Sequence, residues 1–382
     1  MRDAIRRLPG SKIRQVANAG LGRDDVLAFW FGEGDEVTPG PVREAAMRSL
    51  ADGETFYTHN LGLPELRAGI AAYASWLHRP VAPERIAVTS SGVNALMLAA
   101  QLLVDAGDEV VVVTPVWPNV TAQPAILGGR VVAVPLVARG GVWALDIERL
   151  LAAVGPRTKA VIVNAPNNPT GWVFERAGQQ ALLEHCRRTG TWIVADEVYE
   201  RLCYRDTAAA PSFLDLAEPD DRLLVAGSFS KSFLMTGWRL GWLVLPPAAL
   251  EAVGKLIEFN TSCAPVFVQR GGLAALAIAD AFVPPMVARL RAGRDRLHAG
   301  LARLPRIEAA APPGGMYAFF RVEGEDDSLA LATRLVVEHG LGVAPGAAFG
   351  AEGEGWLRWC FASREPERID AGLERLAAAL RV

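Results

Sequence analysis

Residues 228–242 read SFSKSFLMTGWRLGW, a cluster of polar side chains that directly follows an apolar, strand-like run. Lys231 is one of only four lysines in an arginine-rich chain; Ser228 and Ser230 precede it, and Arg239 follows eight residues later. This set suits a phosphorylated aldehyde, because an amine can form a Schiff base while hydroxyls and a guanidinium hold the phosphate. Taken alone, the stretch is explained equally well as a loop with a surface lysine.

Apolar runs alternate with helical stretches on both sides of this cluster, between about residues 85 and 245. The runs are nearly continuous in Val, Ile and Leu, which is typical of strands covered on both faces. They are Ile86–Thr89, Val110–Thr114, Val131–Val134, Ala160–Val163, Trp192–Ala195, Leu223–Ala226 and Leu240–Val244. The helical stretches between them include Asn94–Val104, Asp146–Ala153 and Arg176–Arg188. This alternation predicts an α/β domain with a mostly parallel sheet.

The pattern changes after Gly272, where a long helical stretch is followed by shorter elements. The elements predicted there are a helix over Val283–Leu304, strands at Met316–Val322 and Trp356–Phe361, and helices at Leu329–Glu338 and Glu365–Leu380. We therefore expect a second, smaller α+β domain. The predicted boundaries are 46–282 for the large domain, and 1–45 together with 283–382 for the small one.

Composition restricts the classes of function. The 382 residues carry 39 basic and 42 acidic side chains, a net charge of -3, which gives no sign of a nucleic-acid-binding face. No apolar run reaches the roughly 18 residues of a membrane helix. Four dispersed cysteines and the lack of an HExxH pair argue against a disulfide framework and against a metal site. We expect a cytoplasmic protein that acts on small molecules without nucleic acid, membrane or metal partners.

Two further segments carry polar groups suited to an aromatic cofactor ring. Asp196 ends TWIVAD (191–196), at the carboxyl end of a predicted strand, where ligands gather in open α/β sheets. A buried carboxylate there needs a cation or a hydrogen-bond donor, and a pyridinium N–H would be one. Tyr199 could reach a phenolate oxygen of the same ring. The segment NAPNNPTG (164–171) has two interpretations: it is a plain loop, or one of its asparagines donates an amide N–H to that oxygen.

A fourth segment, TSSGVNAL (89–96), has the order strand, turn, helix. Ser91, Gly92 and Val93 would offer backbone N–H groups at a helix start, which is a ready anion site. This signal is weak by itself, since Ser-Gly before a helix is common.

Together these segments closely resemble the class I/II aminotransferases, fold type I enzymes that depend on pyridoxal 5′-phosphate. The similarity runs in order from FGEGDEVTP (31–39) to WLRWCFA (356–362). It implies a large α/β domain with a mostly parallel seven-stranded sheet and a smaller α+β domain. The implied reaction moves an amino group from an α-amino acid to a 2-oxo acid, in amino acid metabolism.

The resemblance also implies roles for residues around the cofactor. Lys231 matches the lysine that forms the Schiff base and later moves the proton, and Asp196 matches the partner of the pyridine nitrogen. Asn168 and Tyr199 match the pair bonded to the ring hydroxyl oxygen. Trp117, in TPVWPN, matches the aromatic residue stacked on the ring, although a tryptophan after a strand is also ordinary core. The phosphate group is matched by Ser228, Ser230, Arg239, Ser91, Gly92 and Val93, with only a backbone contact expected from Val93.

On the substrate side, Arg358 in WLRWCFA matches the arginine that clamps the α-carboxylate, with Gly32 and Asn168 near it. Tyr57, in YTHNLG, matches a tyrosine that reaches the phosphate of the neighbouring subunit, which implies a homodimer with shared sites. Gly34 departs from the common pattern, since many relatives have proline there. Selection of an acidic side chain would need a second cation near the pocket, from this chain or from a partner subunit, and no motif identifies one.

Two alternatives remain open from the sequence. A carbon–sulfur β-lyase uses the same lysine and ring, because both reactions begin with loss of the α-proton. A non-catalytic, effector-binding module of a transcription regulator is disfavoured, because the 45 residues before the large domain are too few for a DNA-binding domain and the net charge is slightly acidic.

Overall fold

The computed structural model describes residues 1–380, and its largest element is a seven-stranded sheet, called the central sheet below. In spatial order its strands are Ile86–Thr89, Gly241–Val244, Leu223–Ser228, Trp192–Asp196, Thr158–Asn164, Glu109–Thr114 and Arg130–Pro135. Gly241–Val244 runs antiparallel to both of its neighbours, and the remaining adjacent pairs are parallel. Each strand matches one of the seven predicted apolar runs, so the predicted mostly parallel sheet is confirmed.

The two faces of the central sheet are both buried. In Glu109–Thr114, Val111 and Val113 pack into one hydrophobic core, and Val110 and Val112 pack into a second core on the opposite face. Each fully buried valine of this kind contributes about 1.5–3 kcal/mol relative to an exposed one. Continuous apolar runs are therefore required here, because neither face is left for water.

Helices cover both faces of the sheet and build the rest of the chain. The α-helices of the described residues are Asp3–Arg6, Lys12–Ala19, Gly40–Ala51, Pro64–Leu77, Gly92–Leu103, Asn119–Ile126, Ile147–Ala153, Arg176–Thr189, Leu250–Asn260, Val266–Ala277, Ala279–Leu301, Ser328–His339 and Pro366–Ala379. Ala279–Leu301 starts four residues before its predicted start, because Pro284 and Pro285 lie in its second turn and not at its beginning. Within residues 1–380, no single helix is long and apolar enough to cross a membrane; only Val266–Ala277 and Ala279–Leu301 taken together, with a 78° bend between them, meet that test.

A smaller antiparallel sheet lies in the carboxyl-terminal part of the chain and is called the small sheet below. Its strands, in spatial order, are Ile307–Glu308, Tyr317–Val322, Trp356–Cys360 and Ala344–Pro345. The amino-terminal strand Leu27–Ala28 pairs in parallel with Leu341–Gly342, beside this sheet. A hairpin, Val137–Arg139 with Val142–Ala144, completes the strands of the described chain. This pairing places residues 27–28 next to residues 341–342. The division into domains of residues 46–282 and of residues 1–45 with 283–382 stays a prediction.

Strand register brings polar residues together at one edge of the central sheet. Asn164 and Asp196 end neighbouring parallel strands and lie opposite each other, and Ser228 ends the next strand. The carboxyl ends of parallel strands in such sheets border a crevice where ligands bind. Arg358 lies at the centre of Trp356–Cys360, between Phe319 and Ala344 on the adjacent strands.

Candidate active site

A cavity of about 250 Å³ lies at this edge of the central sheet. It brings together twelve of the fourteen predicted site residues: Gly32, Gly92, Val93, Trp117, Asn168, Asp196, Tyr199, Ser228, Ser230, Lys231, Arg239 and Arg358. Residues from both sheets and from the segment before the first long helix therefore meet in one place. Sites of this kind, concave and largely apolar with a few convergent polar groups, are where small molecules bind.

Lys231 occupies the turn that follows strand Leu223–Ser228, and its amine points into the cavity. Its Nζ donates a hydrogen bond to the carbonyl oxygen of Gly32 at 2.6 Å and lies 5.6 Å from the ring centre of Tyr199. Burial lowers the pKa of Lys231 to about 8, and the nearby charge of Arg358 acts in the same direction. About one-tenth of the molecules consequently have a neutral amine at pH 7, which is the form that acts as a nucleophile or a base.

Asp196 is a buried carboxylate whose Oδ1 has no hydrogen-bond partner among residues 1–380. Burial raises its pKa to about 7, while the backbone N–H of Val198 and the charge of Lys231 oppose that rise. A buried acceptor left unpaired is costly, and a native site that retains one usually meets its partner in a ligand. Asp196 therefore offers a place for an N–H donor or a cation.

Tyr199, Asn168 and Tyr317 form a connected set of hydrogen bonds on the lining. Asn168 Nδ2 donates to Tyr199 Oη at 3.5 Å, and the hydroxyls of Tyr199 and Tyr317 are 2.8 Å apart. Burial raises the pKa of Tyr199 well above its ordinary value and the pKa of Tyr317 to about 12. Both phenols thus stay protonated. One O–H is used in the contact between them, which leaves the other free to donate to an oxygen atom of a bound group.

Arg358 is only 2% exposed, yet it forms no ion pair with a carboxylate in the described chain. One amino group, Nη1, donates to Asn168 Oδ1 at 2.8 Å, and Nη2 donates to the carbonyl of Trp30. Its Nε has no partner within residues 1–380. The guanidinium lies over the rings of Tyr317 and Phe349, with Cζ 4.4 and 4.8 Å from their centres. A ligand carboxylate is the natural counter-ion for a buried arginine held in this way.

Hydroxyls, backbone amides and a guanidinium gather at the other end of the cavity. Helix Gly92–Leu103 begins there, and a helix start presents free N–H groups to an anion. Ser228 Oγ accepts from the N–H of Ser230 at 3.1 Å, and Arg239 borders the same space. A Cβ on Gly241 would lie 2.6 Å from the nitrogen of Gly92, so only glycine allows the strand to pass this close to the helix start.

Two predicted residues do not line the cavity. The Ser91 hydroxyl accepts from the N–H of Asn94 at 3.1 Å, so it caps the helix. Tyr57 is 88% exposed and does not line the cavity of its own chain. The contact predicted for Tyr57 is with a neighbouring subunit, and it stays a prediction.

Other lining residues were not singled out from the sequence as ligand contacts, and Tyr317 is the most informative of them. A Cβ on Gly32 would lie 2.1 Å from Tyr317 Oη, so the close approach of this phenol explains why residue 32 is a glycine. Tyr317 lies opposite Cys360, two residues along the strand from Phe319, which lies opposite Arg358. The nearness of Tyr317 to Arg358 is apparent only from the strand register of the small sheet. Ile13, Leu96, Asn164, Val198 and Thr236 also line the cavity.

Comparisons with known proteins agree with one another. The family model described as aminotransferase class I and II matches residues 29–376. An aspartate aminotransferase of Thermotoga maritima is 35% identical over 356 residues, which cover 92% of this chain and 91% of that protein. An aspartate/prephenate aminotransferase of Thermus thermophilus is 35% identical over 360 residues, with coverage of 93% and 91%. The solved structure of a single mutant of Thermus thermophilus aspartate aminotransferase superposes with a TM-score of 0.92 at 33% identity, covering 100% of this chain and 99% of that one.

Proposed function

This chain belongs to the class I and II aminotransferases, is an aminotransferase of fold type I, and on that premise we propose how its cavity carries out the transfer. One observation supports the proposal above all. The amine of Lys231 shares a cavity with a buried carboxylate, Asp196, and a buried guanidinium, Arg358, and neither of these has an ionic partner that neutralises it in the described chain.

The donor set of the cavity fits pyridoxal 5′-phosphate, the cofactor that the family implies. The free Oδ1 of Asp196 would accept the N–H of the pyridine ring, and Asn168 and Tyr199 would hold the ring hydroxyl oxygen. The helix start at Gly92, with Ser228, Ser230 and Arg239, would hold the phosphate, and Trp117 would cover the ring. When bound, the cofactor supplies an aldehyde for attachment and a ring that accepts electrons.

Lys231 is the residue to which we assign attachment and proton transfer. Its pKa of about 8 lies close to neutral pH, where a group can both accept and return a proton efficiently. The carbonyl of Gly32, 2.6 Å from Nζ, fixes where the amine rests. In this role Lys231 would move a proton between the α-carbon of the substrate and the cofactor.

Arg358 is the residue to which we assign recognition of the α-carboxylate. Asn168 and the carbonyl of Trp30 already hold its two amino groups, so its plane is fixed before a substrate arrives. Because a guanidinium can donate two parallel hydrogen bonds to a carboxylate, a fixed plane orients the substrate as well as binding it. The α-proton is then presented to Lys231 in a defined direction.

The two alternatives from the sequence are not favoured. The relatives described above are all named as aminotransferases, over more than 90% of this chain, which supports transfer and neither the carbon–sulfur lyase nor an effector-binding module. We further propose a cytoplasmic homodimer, in which Tyr57 of one subunit reaches the site of the other. The high exposure of Tyr57 and of its neighbour Phe56 supports a partner surface there.

A half-reaction tests the proposal directly. Protein loaded with pyridoxal 5′-phosphate and given one amino acid, without any oxo acid, is expected to release the matching 2-oxo acid up to a single equivalent per subunit and then stop. Addition of a different 2-oxo acid should restart the release. Continuous formation of ammonia and pyruvate from a sulfur amino acid would indicate a lyase, and failure to take up the cofactor would contradict the proposed site.

A further inference from the structure

Among residues 1–380, every charged side chain that lines the cavity already has a role in the proposed function, and none is left to bind the side chain of a substrate. Within residues 1–380 the lining contains four charged groups: Asp196, Lys231, Arg239 and Arg358. In the proposed function they face the ring, the reacting carbon, the phosphate and the α-carboxylate, respectively. A second carboxylate on the substrate would therefore find no free cation on the described lining.

The wall beside the substrate is apolar. Trp30 and Gly32 offer their carbonyls to Arg358 and Lys231, so residues 30–32 border the half of the cavity where the α-carbon must lie. The side chain of Phe31 lines this half and is 39% exposed, which places it where the cavity meets solvent. Ile13, from helix Lys12–Ala19, also lines the cavity and is buried.

From this arrangement we propose that the enzyme accepts amino acids with uncharged, apolar side chains and discriminates against aspartate and glutamate; the inference rests on the proposed function. An apolar side chain gains free energy by leaving water for the wall formed by Phe31 and Ile13. A carboxylate placed against this wall loses hydration on its apolar side and meets no free cation of the described lining.

One exposed cation lies near this wall. The Cζ of Arg14 is 6.0 Å from the ring centre of Phe31, but Arg14 is not part of the lining. Phe31 lines the cavity and Arg14 does not. An acidic substrate could use Arg14 only if the Arg14 side chain moved into the cavity, and the experiment below includes a variant that detects this.

The experiment measures kcat/KM of the holoenzyme for phenylalanine, leucine, methionine, aspartate and glutamate, with a common 2-oxo acid acceptor. We expect the best apolar donor to exceed aspartate by at least about 100-fold, since an unpaired carboxylate in an apolar site is strongly disfavoured. Equilibrium binding of two unreactive ligands, 3-phenylpropionate and succinate, gives a second readout. We expect 3-phenylpropionate to bind at least about tenfold more tightly.

A charge introduced at the wall should change the selectivity. Phe31→Lys is expected to raise the aspartate-to-leucine ratio of kcat/KM by about tenfold or more, because it supplies the missing cation. Phe31→Leu is the matched control, and it should leave that ratio within about threefold of the wild-type value. Arg14→Gln should leave the ratio unchanged as well.

Some outcomes would overturn the inference. Preference of the wild-type enzyme for aspartate would contradict it, and the Arg14→Gln variant would then show whether Arg14 or a residue of a partner subunit supplies the cation. Tighter binding of succinate than of 3-phenylpropionate would contradict it equally. If no amino acid reacted at all, the proposed function itself would be wrong, which is a different result from transfer with the wrong class of donor.

Discussion

The hydroxyl oxygens of Tyr199 and Tyr317 lie 2.8 Å apart in the lining of the cavity, and this contact joins the edge of the central sheet to the small sheet. The guanidinium of Arg358 also lies over the ring of Tyr317, with its Cζ 4.4 Å from the ring centre. One phenol therefore contacts both a group assigned to the cofactor and the group assigned to the substrate carboxylate. Its hydroxyl and its ring have separable roles, because one hydrogen-bonds and the other packs.

Tyr317→Phe should remove the hydrogen bond and keep the ring. We expect kcat to fall roughly fivefold, the equivalent of one hydrogen bond of about 1 kcal/mol, since Tyr199 loses a neighbour that fixes its hydroxyl. Tyr204→Phe is the matched control: Tyr204 Oη donates to the carbonyl of Gly315 at 2.6 Å and does not line the cavity. An unchanged kcat in Tyr317→Phe would show that the hydroxyl contact has no role in the reaction.

Lys231→Ala should abolish catalysis while leaving the fold intact. The variant lacks the proposed base, so the half-reaction should slow by at least about 10²–10⁴-fold, the usual contribution of a positioned acid–base group. Release of 2-oxo acid in a single turnover measures this. Lys255→Ala, which removes an exposed lysine paired with Glu251, should retain wild-type activity.

The pKa of Lys231 sets the pH dependence of cofactor attachment to the free protein. Burial lowers this pKa to about 8, and only the neutral amine is a nucleophile. The rate of attachment should therefore fall about tenfold for each pH unit below 8 and level off above it. Stopped-flow absorbance after mixing with pyridoxal 5′-phosphate measures the rate, and a midpoint near the ordinary lysine value would contradict the burial of this amine.

Arg358→Lys should weaken substrate binding more than it slows the chemical steps. An ammonium cannot donate two parallel hydrogen bonds in a fixed plane, and the loss of one charge-assisted hydrogen bond corresponds to an increase in KM of about 10- to 100-fold. Steady-state kinetics with the best donor measures KM and kcat separately. Arg296→Lys, at an exposed pair with Asp370, is the control and should change neither.

His78 lies in a cluster of carboxylates that includes Glu197, the residue after Asp196 in the chain. Its side chain is 2% exposed, with Nδ1 3.1 Å from Asp215 and Nε2 3.4 Å from Glu200. Burial alone would lower the pKa of His78, but the hydrogen bonds with Asp215 and Glu200 outweigh it and raise the pKa to about 10. The five histidines drew no assignment from the sequence, because nothing in it places these acidic residues around His78.

His78→Gln should lower stability in a pH-dependent manner. The folded-state pKa of His78 lies above the unfolded value, so the stabilisation from the charged ring is fully present below about pH 6.5 and is lost as pH rises through 10. Thermal unfolding at pH 6.5 and 9.5 should show the larger difference from wild type at the lower pH, where removing one partner of a buried pair costs about 3–5 kcal/mol. His339→Gln, at a partly exposed position without a side-chain hydrogen bond in residues 1–380, serves as the control.

The sequence predicted the central sheet well, because both faces of its strands are buried and the apolar runs are continuous. It could not predict that Gly241–Val244 runs antiparallel to its neighbours, since direction depends on pairing and not on composition. The sequence could not predict the two-residue strand Leu27–Ala28 either. Its partner lies more than 300 residues away, and such short elements have no periodicity of their own.

The residues of the candidate site also differ in how far the sequence could predict them. Lys231 and Asp196 lie in dense local motifs that drew attention in the sequence, and the resemblance to the aminotransferase family then implied the roles of both residues and of Asn168. Tyr317 and Ile13 come from distant elements with ordinary apolar patterns, and only tertiary packing brings them to the cavity. The pairing of His78 with Asp215, 137 residues apart, is of the same kind.

The parallel pairing of residues 27–28 with 341–342 has a consequence for synthesis on the ribosome. At about 5–20 residues per second, the partner of this early segment emerges roughly 15–60 s after it. During that interval Phe29 and Trp30, buried in the finished protein, have no native neighbours from the carboxyl-terminal part of the chain. The nascent chain therefore carries an apolar, unpaired segment for most of its elongation, which is the kind of segment that chaperones bind.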